Sequence, residues 1–164
     1  MRAKIIFLTL FFTLTLATPT YAQEPTTLTG ALNAFKDIVG HSWKTKNGNF
    51  EDIQQWRSIN QGNAILIEHS VNQGSYAGTS LVHLDPTSGK IIFRYATTAH
   101  FFTNGTITPT ENGYEAHEIV TGGAGGVTEV KSGATLKEDT LYVWSSMKTK
   151  NGWSPKEEIA YKKQ

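Results

Sequence analysis

After residue 40 the chain alternates between apolar and polar positions, in short runs separated by turns. The clearest runs are AILIEHSV (64–71), TSLVHLD (79–85), KIIFRYAT (90–97), YEAHEIV (114–120) and TLYVWSSM (140–147). They are rich in Val, Ile, Thr, Tyr, Phe and Trp, side chains that pack well on a pleated surface. Turn pairs lie between such runs: Asn47-Gly48, Gln61-Gly62, Gln73-Gly74, Ser88-Gly89, Asn104-Gly105, Asn112-Gly113 and Asn151-Gly152. Asn-Gly favours the positive φ angles of a tight hairpin. About ten segments at this spacing predict an antiparallel barrel or sandwich. Residues 96–102 are the least regular part of the pattern. One earlier stretch has a different period. Leu28, Leu32, Phe35, Ile38 and Val39 recur three or four positions apart, which predicts a short helix over 27–39. Thr27 or Thr29 can cap its start and Gly40 can end it. A helix of this length reads as a lid or plug on something larger.

The stretch TGGAGGVTEV (121–130) raises the alternative of a phosphate cradle. Such a loop needs a strand before the glycines and a helix after them, so that the helix N-terminus faces the anion. Here the glycines lead into an alternating run, no Gly-Lys-Ser or Gly-Lys-Thr closes the motif, and the dinucleotide glycine spacing is absent. The segment is predicted to be a hairpin between 114–121 and 127–132, able to serve as a cavity rim.

The N-terminus reads as a secretory signal. Arg2 and Lys4 precede an apolar run over 5–16, and Thr20-Tyr21-Ala22 offers a cleavage site after Ala22. The run is shorter than the roughly 20 residues a membrane-spanning helix needs. Residues 1–22 are therefore expected to be removed, leaving one domain over 23–164, with a barrel over 41–162, secreted or periplasmic. Removing Arg2 and Lys4 from the 15 basic residues leaves 13 against 14 acidic ones, a net charge of about −1. The basic residues form no block, which argues against nucleic acid or an anionic membrane as partner. The chain has no cysteine. It has neither disulfides nor a lipoprotein cysteine, and its stability must come from a core and a regular backbone.

The run Val39-Gly40-His41-Ser42-Trp43 after the helix, the meander of strands, and the strand-like ending Glu158-Ile159-Ala160-Tyr161-Lys162 resemble the calycin group. That group comprises lipocalins, fatty-acid-binding proteins and nitrobindins. The similarity is greatest to bacterial lipocalin-like families that open with a helix and a Gly-x-x-Trp or Gly-x-Trp strand. Tyr76-Ala77-Gly78-Thr79-Ser80 and 84–90 also resemble the middle of those families. The fatty-acid-binding Arg-x-Tyr pair near the C-terminus is absent. The resemblance implies a mainly β fold: an up-and-down antiparallel barrel of about eight to ten strands behind a short N-terminal helix.

Five side chains are the candidates for ligand contact. His69 shares the more apolar face of its run with Ile65, Ile67 and Val71, which places its imidazole beside a ligand or under a haem iron. The other histidines, His41, His83, His100 and His117, have no close metal-ligand spacing. Arg57 and Arg94 are the only arginines after the signal. If inward, either guanidinium can fork a carboxylate; if outward, each pairs with a surface acid. Tyr95 and Trp144 are candidate cavity walls, and Trp43 is expected at the closed end under the helix. Asn104-Gly105-Thr106 fits a glycosylation acceptor but reads better as a turn. No Gly-x-Ser-x-Gly elbow is present. The leading expectation is an exported protein that binds a small hydrophobic or amphipathic ligand in its barrel, its cofactor and oligomeric state left open. The alternatives are an isomerase, cyclase or lyase on the same scaffold, marked by a titratable pair in the cavity, and a filled barrel acting as an interaction module.

Overall fold

The structure, a computed structural model, describes residues 27–164, so the expected signal segment over 1–22 lies outside the described residues. Strands β1 (Ser42–Asn47), β2 (Phe50–Ile59), β3 (Ala64–Val71), β4 (Tyr76–Leu84), β5 (Ile91–Thr97), β6 (Phe102–Thr110), β7 (Gly113–Thr121) and β8 (Glu129–Lys137) follow one another as antiparallel neighbours. β9 (Thr140–Thr149) continues the meander, and β11 (Glu157–Lys163) closes the ring between β9 and β1. The two-residue β10 (Gly152–Trp153) folds back on the end of β9. The result is a closed antiparallel barrel of 10 strands, with β10 as an appendage.

Alternation sorts the side chains. Asp52, Trp56 and Ser58 of β2 are buried and inward, whereas Gln55 and Arg57 between them are exposed. The same phase runs through Ile65 and Ile67, Ser80 and Val82, Phe93 and Tyr95, and Tyr114 and Ala116. The expected runs become strands, with 64–71 matching β3. The irregular stretch 96–102 contains the β5–β6 turn, and the glycine-rich segment is the hairpin loop between β7 and β8. One expected turn is not a turn. Asn104-Gly105 lies inside β6, paired with Phe93 and Arg94 of β5, and the Phe93 ring lies over Gly105. A glycine within a strand marks close approach of a neighbour as readily as a reversal.

The N-terminal stripe is correctly placed, but it is not an α-helix. Residues Gly30–Phe35 form a 3-10 helix and 36–40 continue as turns. Thr29 occupies the cap position without capping, because its hydroxyl turns away to the Gly62 carbonyl at 3.2 Å. Gly30 sits at φ +52, outside helical backbone, so the first turn starts tight and propagates through i→i−3 bonds such as Leu32 N–H to Thr29 C=O. Leu28, Leu32, Phe35, Ile38 and Val39 are nevertheless all buried. They plug the barrel end that carries the β2–β3 turn, with Phe35 packed on Tyr114 at 6.2 Å between ring centroids. Trp43 is fully buried beneath the plug, its indole N–H donating to the Ile38 carbonyl at 3.0 Å.

Candidate functional site

Above the plug the interior is not filled. A cavity of about 320 Å³ runs from Trp56, Ile107 and Tyr114 near the plug to Phe101, Val130 and Met147 near the opposite rim. Its size is at the low end for pockets that hold drug-sized molecules. Most of its wall is aliphatic or aromatic, and two polar groups interrupt it.

The first is a hydrogen-bonded chain carried by β11, β2, β3, β5 and β4. Asp52 is 5% exposed; its Oδ2 accepts from the Tyr161 hydroxyl at 2.9 Å and its Oδ1 lies 2.8 Å from His69 Nε2. A carboxylate only accepts, so Nε2 carries the hydrogen. In the neutral imidazole Nδ1 is then the acceptor, and the Tyr95 hydroxyl donates to it at 3.0 Å. With its hydrogen committed there, the Tyr95 oxygen accepts from Tyr76 at 2.9 Å. Register makes this assembly possible. Gln54, His69 and Gly78 stand opposite one another across β2, β3 and β4. The Tyr95 ring fills the space above Gly78, where an added Cβ would lie 2.3 Å from a ring carbon. Burial raises the pKa of both Tyr76 and Tyr95, so each remains a phenol at neutral pH.

The second polar group is Glu118 on β7, across the cavity. Thr103 Oγ1 donates to its Oε2 at 2.6 Å and Ser132 Oγ to its Oε1 at 3.4 Å. Burial pushes its pKa up from the ordinary value, and these two hydroxyls oppose the shift only in part. Among the described residues that line the cavity there is no lysine or arginine.

Of the candidates from sequence, the structure brings His69 and Tyr95 together and leaves the other three outside. Arg57 projects outward and pairs with Glu68 at 2.7 Å, both about half exposed, so it does not fork a ligand in the cavity. Arg94 is exposed and stacks over the Phe102 ring at 4.3 Å. Trp144 lies on the outer face with Lys156 Nζ 3.6 Å from its ring centroid, in a surface groove beside Glu115 and His117. The physical reason is common to all three. In β2, β5 and β9 both phases mix apolar and polar residues, and neighbouring strands rather than composition decide which faces in. Ser145, the neighbour of Trp144, does line the cavity. The haem option also fails on geometry, since both ring nitrogens of His69 are committed to Asp52 and Tyr95. His117 pairs with Glu129 on the outside, and His41 packs edge-on against Trp43. Among the described residues no three His, Cys, Asp or Glu side chains converge as metal ligands. No described helix is long and apolar enough to cross a membrane.

Sequence reasoning missed Asp52, Tyr76 and Glu118. Asp52 and Glu118 sit in strands as polar residues on a face that reads as mixed, and Tyr76 begins its strand just after a turn. The available signal was pairing rather than pattern. An inward His69 requires polar partners, and it finds Asp52 on the adjacent β2 and Tyr95 on β5, which is bonded in turn to Tyr76. No protein-family model matches the chain, and no curated protein is significantly similar to it.

Proposed function

We propose that this protein is an exported, calycin-like binding protein that holds a small, partly apolar molecule inside its barrel. The observation that carries the reading is the 320 Å³ cavity itself, apolar over most of its wall, with hydrogen-bonding groups at His69, Tyr76, Tyr95 and Glu118. Pockets for small molecules combine those two features. An unfilled interior also favours a binder over a packed interaction module. Export rests on the signal character of residues 1–22, and the calycin affinity on the meander closed behind an N-terminal plug.

The test is native mass spectrometry of the mature protein purified gently from its exporting cell, with solvent extraction of anything bound. A reproducible added mass is expected in the wild type and not in Ser80→Trp, which puts an indole into the cavity opposite Tyr95. A bare wild-type protein, or equal loading of the variant, overturns the cavity reading.

A second reading has its own observation. The buried Asp52–His69 pair, relayed through Tyr95 to Tyr76, is an arrangement able to move a proton at the cavity wall. In an isomerase, cyclase or lyase, Tyr76 would be the acid or base that meets substrate. Extracted material that is chemically altered after incubation with wild type, but unaltered with Tyr76→Phe, would select this reading over simple binding.

A further inference from the structure

The hydrogens around the cavity are distributed unevenly. Asp52 accepts from both Tyr161 and His69, and with a neutral imidazole this sets the direction of the bonds beyond it. Tyr95 gives its hydrogen to His69, and Tyr76 gives its hydrogen to Tyr95. Across the cavity, Thr103 and Ser132 give theirs to Glu118. The Gln54 amide is turned to Tyr161. Tyr76, Tyr95, Thr103 and Ser132 have thus spent their donors inside the wall, and what these four offer a guest is lone pairs. The Ser80, Ser145 and Tyr114 hydroxyls retain the choice of role.

Charge points the same way. Asp52 lies behind the neutral His69 as its hydrogen-bond acceptor, Glu118 is a second acid in the wall, and no lysine or arginine among the described lining residues balances it. A carboxylate guest needs donors and a positive field. The donors this wall has left are the uncharged hydroxyls of Ser80, Ser145 and Tyr114, and they bring no positive field. A guest with N–H donors and a positive charge needs neither. Its N–H groups find acceptors at Glu118, and the charge offsets the cost of keeping that carboxylate ionised in a site poor in water.

Building on the cavity reading, we propose that the ligand is an amphipathic amine, bound as its ammonium form. Its head group donates to Glu118 and its hydrocarbon part lies on Phe93, Ile107 and Val82. The barrel is in this respect opposite to one that takes fatty acids, whose head group would meet acceptors and an acid.

Isothermal titration calorimetry at neutral pH with n-octylammonium, octanol and octanoate tests this on the full mature protein. The three share a chain and differ in the head. The expected order is octylammonium tightest and octanoate weakest, with at least about tenfold between them. In Glu118→Gln that ratio is expected to fall by about tenfold, because the amide still accepts but no longer carries charge. Octanoate binding as tightly as octylammonium overturns the head-group proposal while leaving the cavity reading in place. So does a ratio unchanged by Glu118→Gln. Failure of all three to bind wild type overturns both.

Discussion

Glu118 is the residue whose environment is least comfortable. Its carboxylate is buried on the cavity wall, helped by Thr103 and Ser132 but by no lysine or arginine among the described lining residues, with His117 of its own strand acting only from the outer face. Its folded-state pKa therefore lies above the unfolded value. Between those two values the folded protein binds more protons than the unfolded chain, so stability falls as pH rises through that window and stays lower above it. Glu118→Gln removes the liability. Urea denaturation should show the variant more stable than wild type at pH 7, with the gain shrinking as pH drops towards the ordinary value of 4.5. A gain that does not vary with pH would mean that something other than ionisation is responsible. At this scale the sequence was half legible. His69 stood out because its companions Ile65 and Ile67 made one face clearly apolar. Arg57 and Trp144 misled because their strands offered no such contrast. A guanidinium beside Ile53 and Ile59 was open to either face by composition, and its pair with Glu68 of the adjacent strand, the outward alternative, settles it.

The N-terminal plug was legible as an apolar stripe and misread as a helix. Burial of one face at three- and four-residue spacing is common to α and 3-10 backbone over so short a span, so periodicity alone does not separate them. What separates them is tertiary. The Thr29 N–H donates to the Gly62 carbonyl and its hydroxyl lies between that carbonyl and Asn63 Oδ1, which anchors the segment to the β2–β3 turn before a regular helix can begin. Gly62 makes the anchor possible. It sits at φ +84, and a Cβ there would lie 2.2 Å from the Thr27 carbonyl oxygen. Gly74, in the matching Asn-Gln-Gly turn between β3 and β4, has φ +93 with nothing within 4 Å. Alanine at either position meets the same backbone strain, but only at Gly62 does it also collide with the plug. Chemical denaturation should therefore show Gly62→Ala more destabilising than Gly74→Ala by at least about 1 kcal/mol. Equal losses would mean that the plug contributes little at this anchor.

The barrel as a whole is a chain of nearest-neighbour hairpins with one long-range closure. From β1 through β9 each strand pairs with the next in sequence, so each step closes only a short loop. The ring is completed where β11 meets β1, and there the register holds just Trp43 with Lys163 and Lys44 with Lys162. Inside that seam the Tyr161 hydroxyl reaches past β1 to Asp52 on β2, a buried bond between residues 109 apart in sequence. Asp52 is thus shared. It orients His69 for the cavity and ties the last strand to the first, so the site and the closure of the fold depend on one carboxylate. Tyr161→Phe removes one of the two donors to that carboxylate and should cost about 1–3 kcal/mol of stability, the range for stripping a partner from a buried polar group. Asp52→Asn should cost a similar amount, and the two together less than their sum, because the second change acts on a bond already broken. Glu51→Gln breaks a solvent-facing pair between β2 and Lys44 of β1 and should cost less than either. Urea melts of these four variants form the cycle and its control. Strict additivity of Tyr161→Phe and Asp52→Asn would show that the seam is held by β-pairing alone; a coupling near 1 kcal/mol would show that the polar chain of the cavity also closes the barrel.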